Sequence, residues 1–411
     1  MEKVLEKKDY IIFISVALFY FIFRLFFLNT PPKEMFDEVY YIPASRDYLE
    51  FKPDSNWVHP PLAKMIIALF AYITPFFGFM KWRVASAFFG ALMVGISYPF
   101  AMVLFKNRMT AFVAMFLMLF DFLTFVQSGI TTLDIFLVGF MTLSAFCTCI
   151  YVFRAEESNI LPIVLSSIFA GLASACKWSG SFSFFFLIFC ISCLKEFKKE
   201  NNFFILRTCF LSLSVYLIAF FIPYCYCFLV GDTFNDLYLR FVNILKFQYG
   251  DGWKHNYLSY MWQWILMVRP CWYFFKSNND LFAGINSMGN PFFWWSFLLF
   301  FVSLVYRLFK SKDEESNKIG LFLVFGYCFS FIFWVFSNRP GFFYYIYPAV
   351  IWMSLISSYF LSLLHKKYGN FIICLYLSVI FLSFVLYFPI LSGIPIDKKM
   401  FYSLLFLKSW I

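Results

Sequence analysis

The sequence predicts an all-α polytopic membrane protein, a bundle of about eleven spanning helices with outer-face loops and juxtamembrane helices. Three observations predict it. Apolar residues fill 62% of the 411 positions and charged residues 14%, whereas a soluble globular chain is about half apolar and about a quarter charged. Runs of about 18 to 22 apolar residues recur along the whole length, each long enough to cross a hydrocarbon core. These runs are continuously apolar rather than alternating every second residue, which favours helices over a barrel, and helices satisfy their own backbone hydrogen bonds.

The first predicted span, Ile11–Leu28, follows the lysine-rich stretch Met1–Lys8. No small-residue cleavage site follows it, so it reads as an uncleaved span with its N-terminus in the cytoplasm. A polar, Pro-containing loop runs from Asn29 to Pro61. Leu62–Phe79 is apolar and admits two placements, crossing the membrane or lying on the outer face. The second leaves the basic turn Lys106–Arg108 inside and is preferred. Spans then follow at Val84–Phe105, Thr110–Val126, Ile135–Tyr151, Ile160–Ala175, Ser179–Leu194 and Leu206–Leu229. After a long outer loop, Val230–Asn290, come Pro291–Tyr306, Ile319–Val335, Phe342–Leu363 and Phe371–Pro389. The inner turns are then short and basic: Lys106–Arg108, Lys195–Lys199, Arg307–Lys318 and His365–Lys367. The chain reads as one transmembrane domain, 1–411, with outer loops at 29–83 and 230–290.

Several function classes fall away. The net charge of +10 is scattered between apolar runs and forms no nucleic-acid patch. The 11 cysteines sit mostly inside apolar segments (Cys147, Cys149, Cys190, Cys193, Cys328, Cys374), without metal-ligand or disulfide spacing. No repeat, broken central helix or mid-span ladder of ionisable groups suggests a transporter or flippase. Polar residues gather instead at outer ends of spans, which suits a site at that surface.

Four constellations carry the candidate chemistry. Asp37-Glu38 stands just after span one, and alone it reads as a solvated acidic pair. Its company raises a functional reading: Trp57-Val58-His59-Pro60-Pro61-Leu62-Ala63-Lys64 places His59 and Lys64 in the same loop. Alone, His59 reads as a packing or capping residue. Lys81-Trp82-Arg83 and Lys177-Trp178 mark outer ends of spans, where cations commonly snorkel. Lys177, among small residues, is costly there unless paired, and a lipid phosphate would suit it. Gln127–Asp134 opens another span, where Asp134 is equally a cap on the helix dipole. The long outer loop holds His255, Tyr257, Trp262, Trp264, Arg269 and Trp272, and Arg339 precedes the aromatic run Phe342–Tyr345. Such aromatics serve as an interfacial belt or as sugar and lipid recognition.

Taken in order, these residues resemble the protein O-mannosyltransferase family. Phe36-Asp37-Glu38 followed by His59-Pro60-Pro61-Leu62-Ala63-Lys64 is similar to the first-loop signature of those GT-C enzymes. Arg83–Gly90, Gln127-Ser128 with Leu133-Asp134, Cys176-Lys177-Trp178, His255–Tyr273, Gly289-Asn290-Pro291 and Tyr344–Ala349 continue the likeness over nearly the whole chain. Gly129 departs from it, since the family usually carries Arg directly after Gln-Ser. The outer loop is too short for the β-trefoil of eukaryotic members, which points to a prokaryotic-type relative.

The resemblance implies inverting transfer of mannose from a polyprenyl-phosphate donor to Ser or Thr hydroxyls of proteins. It implies Asp37 as general base, with Glu38 supporting it or orienting the acceptor. The lipid phosphate leaves as a stable anion, so a second acid is dispensable and cations are needed instead. Arg83 and Lys177 are the expected phosphate contacts, with Arg269, Arg339, His59, Lys64, Asp134 and His255 as further donor- or substrate-binding candidates. No cofactor is required on this reading. A divalent metal has no recognised ligand spacing behind it. The expected partners are the lipid-linked sugar, a protein or peptide acceptor, the bilayer and a second copy of the chain, with no nucleic acid. The expected location is the cytoplasmic membrane, or the endoplasmic reticulum in a eukaryote. The nearest alternative is a GT-C transferase acting on a lipid or glycan, such as an aminoarabinose transferase acting on lipid A.

Overall fold

The computed structural model describes residues 5–156, 159–194, 202–249, 255–336 and 340–411. The chain opens with α1 (Lys7–Leu25), α2 (Glu38–Leu49) and α3 (Leu62–Ile73). The bundle continues with α4 (Val84–Phe105), α5 (Arg108–Leu119), α6 (Phe122–Gln127), α7 (Asp134–Phe153), α8 (Leu161–Cys176), α9 (Ser181–Phe189) and α10 (Asn202–Phe221). Next come α11 (Cys225–Leu229), α12 (Phe234–Tyr249) and α13 (Met261–Ile265), then the strands β1 (Cys271–Asn278) and β2 (Leu281–Ser287). The last part holds α14 (Pro291–Lys310), α15 (Glu314–Phe329), α16 (Val350–Tyr368), α17 (Asn370–Ser392), β3 (Ile396–Asp397) and α18 (Lys398–Ser403). Six of the described helical segments are long and apolar enough to cross a bilayer by themselves, against the eleven or so spans expected from the sequence.

Leu62–Phe79 resolves the ambiguity left by its composition. α3 has 12 residues and so spans about 18 Å, well short of the roughly 30 Å hydrocarbon core. A short 3₁₀ segment, Pro75–Trp82, follows across a kink at Gly78, whose φ of +58° suits glycine. The apolar stretch therefore does not form one crossing helix. α3 packs against α2, and together they make the first loop a folded layer rather than a tether.

Small and hydroxylated residues draw the central helices together. Ser144 and Thr148 of α7 meet Ser166 of α8 at 3.0 and 2.8 Å. Such pairs bring backbones close and bond across helices where no hydrophobic drive exists between them.

Ion pairs fix the two ends of the bundle. At one end Arg108 holds Glu6 at 2.9 Å and Asp9 at 3.1 Å, while Arg154 donates to Val103 O and Lys318 to Val152 O. The Lys106–Arg108 and Arg307–Lys318 turns therefore lie at a common end; the Lys195–Lys199 turn lies outside the described residues. The other end carries α2, α3, the 255–290 region and the segment after α17.

Strands were not expected. β1 and β2 form an antiparallel hairpin through Asn279, whose φ is +47°, and β3 adds to β2. Trp272, Tyr273 and Phe274 are of types enriched in strands, but in a chain this aromatic they read equally as an interfacial belt. The C-terminal residues return to the same end. Trp410 is fully buried and donates to Met267 O, and its carbonyl accepts from the Trp272 indole, both at 2.7 Å.

Candidate active site

Two buried ion pairs build the first loop. Glu38, at the start of α2, is fully buried and paired with Arg83 at 2.6 Å. Its carboxylate also accepts the backbone N–H groups of Met35 and Thr131. Arg83 uses all five of its N–H donors: two on Glu38, and one each on the carbonyls of Leu28, Pro31 and Lys33. This corrects two expectations. Arg83 has no N–H left for a donor phosphate, and Glu38 has no free lone pair for an acceptor. The pair is a staple that joins span one, α2, α4 and the α6–α7 turn.

Lys64 is likewise spent. Its ammonium is fully buried against Asp54 and donates to the carbonyls of Asn56 and His59. Tyr48 completes Asp54 at 2.9 Å. The Pro60-Pro61 turn is thus pinned by the lysine three residues on, and Lys64 is corrected from substrate binder to brace. The His59 ring packs edge-on to Tyr41, 6.1 Å between centroids.

With its neighbour facing inward, Asp37 faces the opposite way, half-buried at the head of α2. Burial pushes its carboxyl up to about 6; Lys177 pulls it down, Asp134 pushes it up, and hydrogen bonds from Tyr344 and Tyr41 lower it. The Tyr344 hydroxyl lies 3.4 Å from Asp37 Oδ2. Lys177, at the turn between α8 and α9, reaches Asp134 at 2.9 Å. Asp134 begins α7 rather than capping it, so its charge serves Lys177 as well as the helix dipole. The Lys177 ammonium also lies 4.3 Å from the Tyr345 ring centroid and 5.7 Å from that of Tyr344. One carboxylate and one cation thus share a wall of tyrosines. A narrow crevice lies between α7, α9, α15 and α16, lined by Met141, Phe182, Phe186, Phe329 and Trp352 among others.

Gly129 has a structural explanation. A Cβ there would sit 1.6 Å from Nη2 of Arg24. The Arg24 guanidinium, brought by α1, fills the space that a side chain at 129 would enter. It stacks 3.9 Å above Phe125 and is 3% exposed, and its Nε and Nη1 find no hydrogen-bond partner among the described residues. Beside it, Ser128 meets Tyr20 at 3.0 Å, and Gln127 donates to the Tyr273 hydroxyl at 2.9 Å.

The remaining candidates stand at the rim or beyond. Arg269 braces the outer loop through Asn256 O and the Tyr257 ring, and His255 is exposed against Tyr257 and Phe342. Arg339 lies outside the described residues. Among the described residues no three His, Cys, Asp or Glu side chains converge as a metal site. Sequence reading missed Arg24, Asp54 and Tyr41. A charge inside the first apolar run was the available signal for Arg24; nothing local marked the other two.

The helical membrane bundle is that of the GT-C glycosyltransferases. The chain superposes on the Saccharomyces cerevisiae protein O-mannosyltransferase Pmt1-Pmt2 complex bound to the sugar donor, with a TM-score of 0.84 over 99% of this chain and 93% of that one, at 13% identity. ArnT from Cupriavidus metallidurans bound to undecaprenyl phosphate matches at 0.53 over 87% and 61%, at 17% identity. The family model described as dolichyl-phosphate-mannose-protein mannosyltransferase matches residues 14–86 and 77–234, and that of the C-terminal four TMM region of protein-O-mannosyltransferase matches 239–410. A polyprenol-phosphate-mannose–protein mannosyltransferase of Mycobacterium tuberculosis is 23% identical, covering 92% of this chain and 86% of the relative. One of Corynebacterium glutamicum is 30% identical over 181 residues, 36% of this chain and 34% of the relative. The chain belongs to the dolichyl-phosphate-mannose–protein mannosyltransferase family.

Proposed function

We propose that this protein transfers mannose from a polyprenyl-phosphate-mannose donor to Ser or Thr hydroxyls of proteins, with inversion, at the extracytoplasmic end of the bundle. The observation that carries the reading is the convergence of Asp37 and Lys177 on Tyr344, one at its hydroxyl and the other over its ring. Asp37 takes the proton of the acceptor hydroxyl as its oxygen attacks the anomeric carbon. The bond to the phosphate oxygen breaks, and Lys177 holds the charge that grows there. Asp134 keeps Lys177 pointed at that place and shares the cation until the phosphate arrives. Glu38, Arg83, Lys64 and Asp54 touch neither substrate; they hold the loop that carries Asp37.

The site works with the N-terminus in the cytoplasm, so that the end bearing Glu6, Asp9 and Arg108 faces inward. An assay with purified protein tests the reading. Polyprenyl-phosphate mannose is offered with a Ser/Thr peptide and, separately, with a lipid acceptor. Mannose on the peptide hydroxyl is expected; transfer only to the lipid would overturn the protein acceptor.

A further inference from the structure

Tyr344 touches both members of the proposed catalytic pair. Its hydroxyl lies 3.4 Å from Asp37 Oδ2, and its ring centroid lies 5.7 Å from Lys177 Nζ, within cation–π range. The ring is fixed on every side. It is 3% exposed, stacks on Phe342 at 5.5 Å and meets Phe36 and Tyr273 edge-on at 5.8 and 5.9 Å. The backbone is fixed as well. Gly341 and Ser259 exchange two hydrogen bonds, 2.8 and 2.9 Å, which tie the aromatic run to the long outer loop. Trp264 then donates to Ser259 Oγ at 2.9 Å and packs on Tyr345.

We infer that Tyr344 is a positioning residue that sets the distance between the base and the phosphate-binding cation, its hydroxyl on one and its ring face on the other. The inference rests on the function proposed above. An inverting displacement needs the entering oxygen and the leaving phosphate on opposite sides of one carbon, so the groups serving each must be held apart at a fixed spacing. Asp37 and Lys177 come from the head of α2 and the α8–α9 turn, which no shared backbone connects. Tyr344 is a rigid body between them. Because the Ser259–Gly341 exchange holds it, any acceptor that grips the outer loop acts on the same spacer.

The groups around Asp37 bear on its titration and come from four places: Tyr41 on α2, Asp134 with Lys177 across the α7 and α8 ends, Tyr344 before α16, and Cys271 with Tyr273 on β1. The hydroxyl of Tyr344 lowers the Asp37 pKa. Its removal raises that pKa, so the acid limb of the rate profile moves to higher pH.

The test compares Tyr344→Phe, Tyr344→Leu and Asp37→Asn in full-length protein. kcat/KM is measured against pH with polyprenyl-phosphate mannose and a Ser/Thr peptide, and Kd is measured for polyprenyl phosphate. Tyr344→Phe is expected to lose about tenfold in kcat/KM at neutral pH, the scale of one hydrogen bond to a charged group, with its acid limb shifted upward and its Kd unchanged. Tyr344→Leu is expected to weaken polyprenyl-phosphate binding severalfold as well, because the ring is gone. A native rate and native acid limb in Tyr344→Phe would overturn the inference, as would native phosphate affinity in Tyr344→Leu. Asp37→Asn separates the two levels. If it is inactive while Tyr344→Phe is native, only the spacer role falls; if it is active, the assignment of the base falls.

Discussion

Asp37 and Glu38 are neighbours with opposite tasks, and their surroundings decide which does what. Glu38 is saturated by Arg83 and two backbone amides, whereas Asp37 meets two phenols and a lysine. Burial raises Asp37 to about 6, so a native rate profile should fall as pH drops through that value, since only the carboxylate can accept a proton. The same shift costs stability above the ordinary carboxylate pKa, because the folded site favours the neutral form. Asp37→Asn should therefore lose about 10²- to 10⁴-fold in transfer while melting no lower than the native protein in detergent. A variant both inactive and clearly less stable would indicate a scaffold role. Glu38→Gln makes the contrasting case. It leaves Arg83 buried and partly unpaired, at a cost of about 3–5 kcal/mol, and should appear as a lower melting temperature and poor yield.

Elements explain what was readable in advance and what was not. The helical membrane bundle and the first-loop motif were legible because hydropathy is a property of runs and Asp37-Glu38 with His59-Pro60-Pro61 is local in sequence, whereas the span count was not, since predicted spans such as Thr110–Val126 break into shorter helices. The division of labour among charges was not. Arg83 and Lys177 look alike as cations at the ends of apolar helices; only the fold shows that Arg83 spends every donor on a carboxylate and three carbonyls while Lys177, paired with Asp134, lies over Tyr344 and Tyr345. The hairpin was missed because its aromatic residues match the membrane-interface pattern as well as a strand. Arg24 and Gly129 are 105 positions apart, and their dependence exists only where α1 crosses the α6–α7 turn. It predicts that Gly129→Ala, trivial elsewhere, displaces the guanidinium and lowers both stability and activity. Arg24→Ala combined with Gly129→Arg should recover more of each than either single change. Equal or greater damage in the double variant would show that the two positions are independent.

At the scale of the whole molecule, the bundle keeps its two ends chemically distinct. One end is closed by Arg108 on Glu6 and Asp9. The other collects the folded first loop, the hairpin, the returning C-terminus and every group assigned a catalytic or binding part. α3 is too short to cross, which lets α2 and α3 cover the site instead of passing through the membrane. A reporter placed near Lys106 should accordingly be found on the opposite side of the membrane from one placed near Asn279. Lys177→Gln should raise the Kd for polyprenyl phosphate about tenfold or more and leave peptide affinity nearly unchanged, as removal of one charge-assisted contact would; equal affinity for the lipid phosphate would remove Lys177 from the donor site. The most direct measurement of the central claim is a transfer reaction with purified protein, polyprenyl-phosphate mannose and a Ser/Thr peptide, run with the native chain and with Asp37→Asn. The native chain should give mannosyl peptide with the anomeric configuration opposite to that of the donor, and Asp37→Asn should give almost none. Retained configuration, or full transfer by Asp37→Asn, would contradict it.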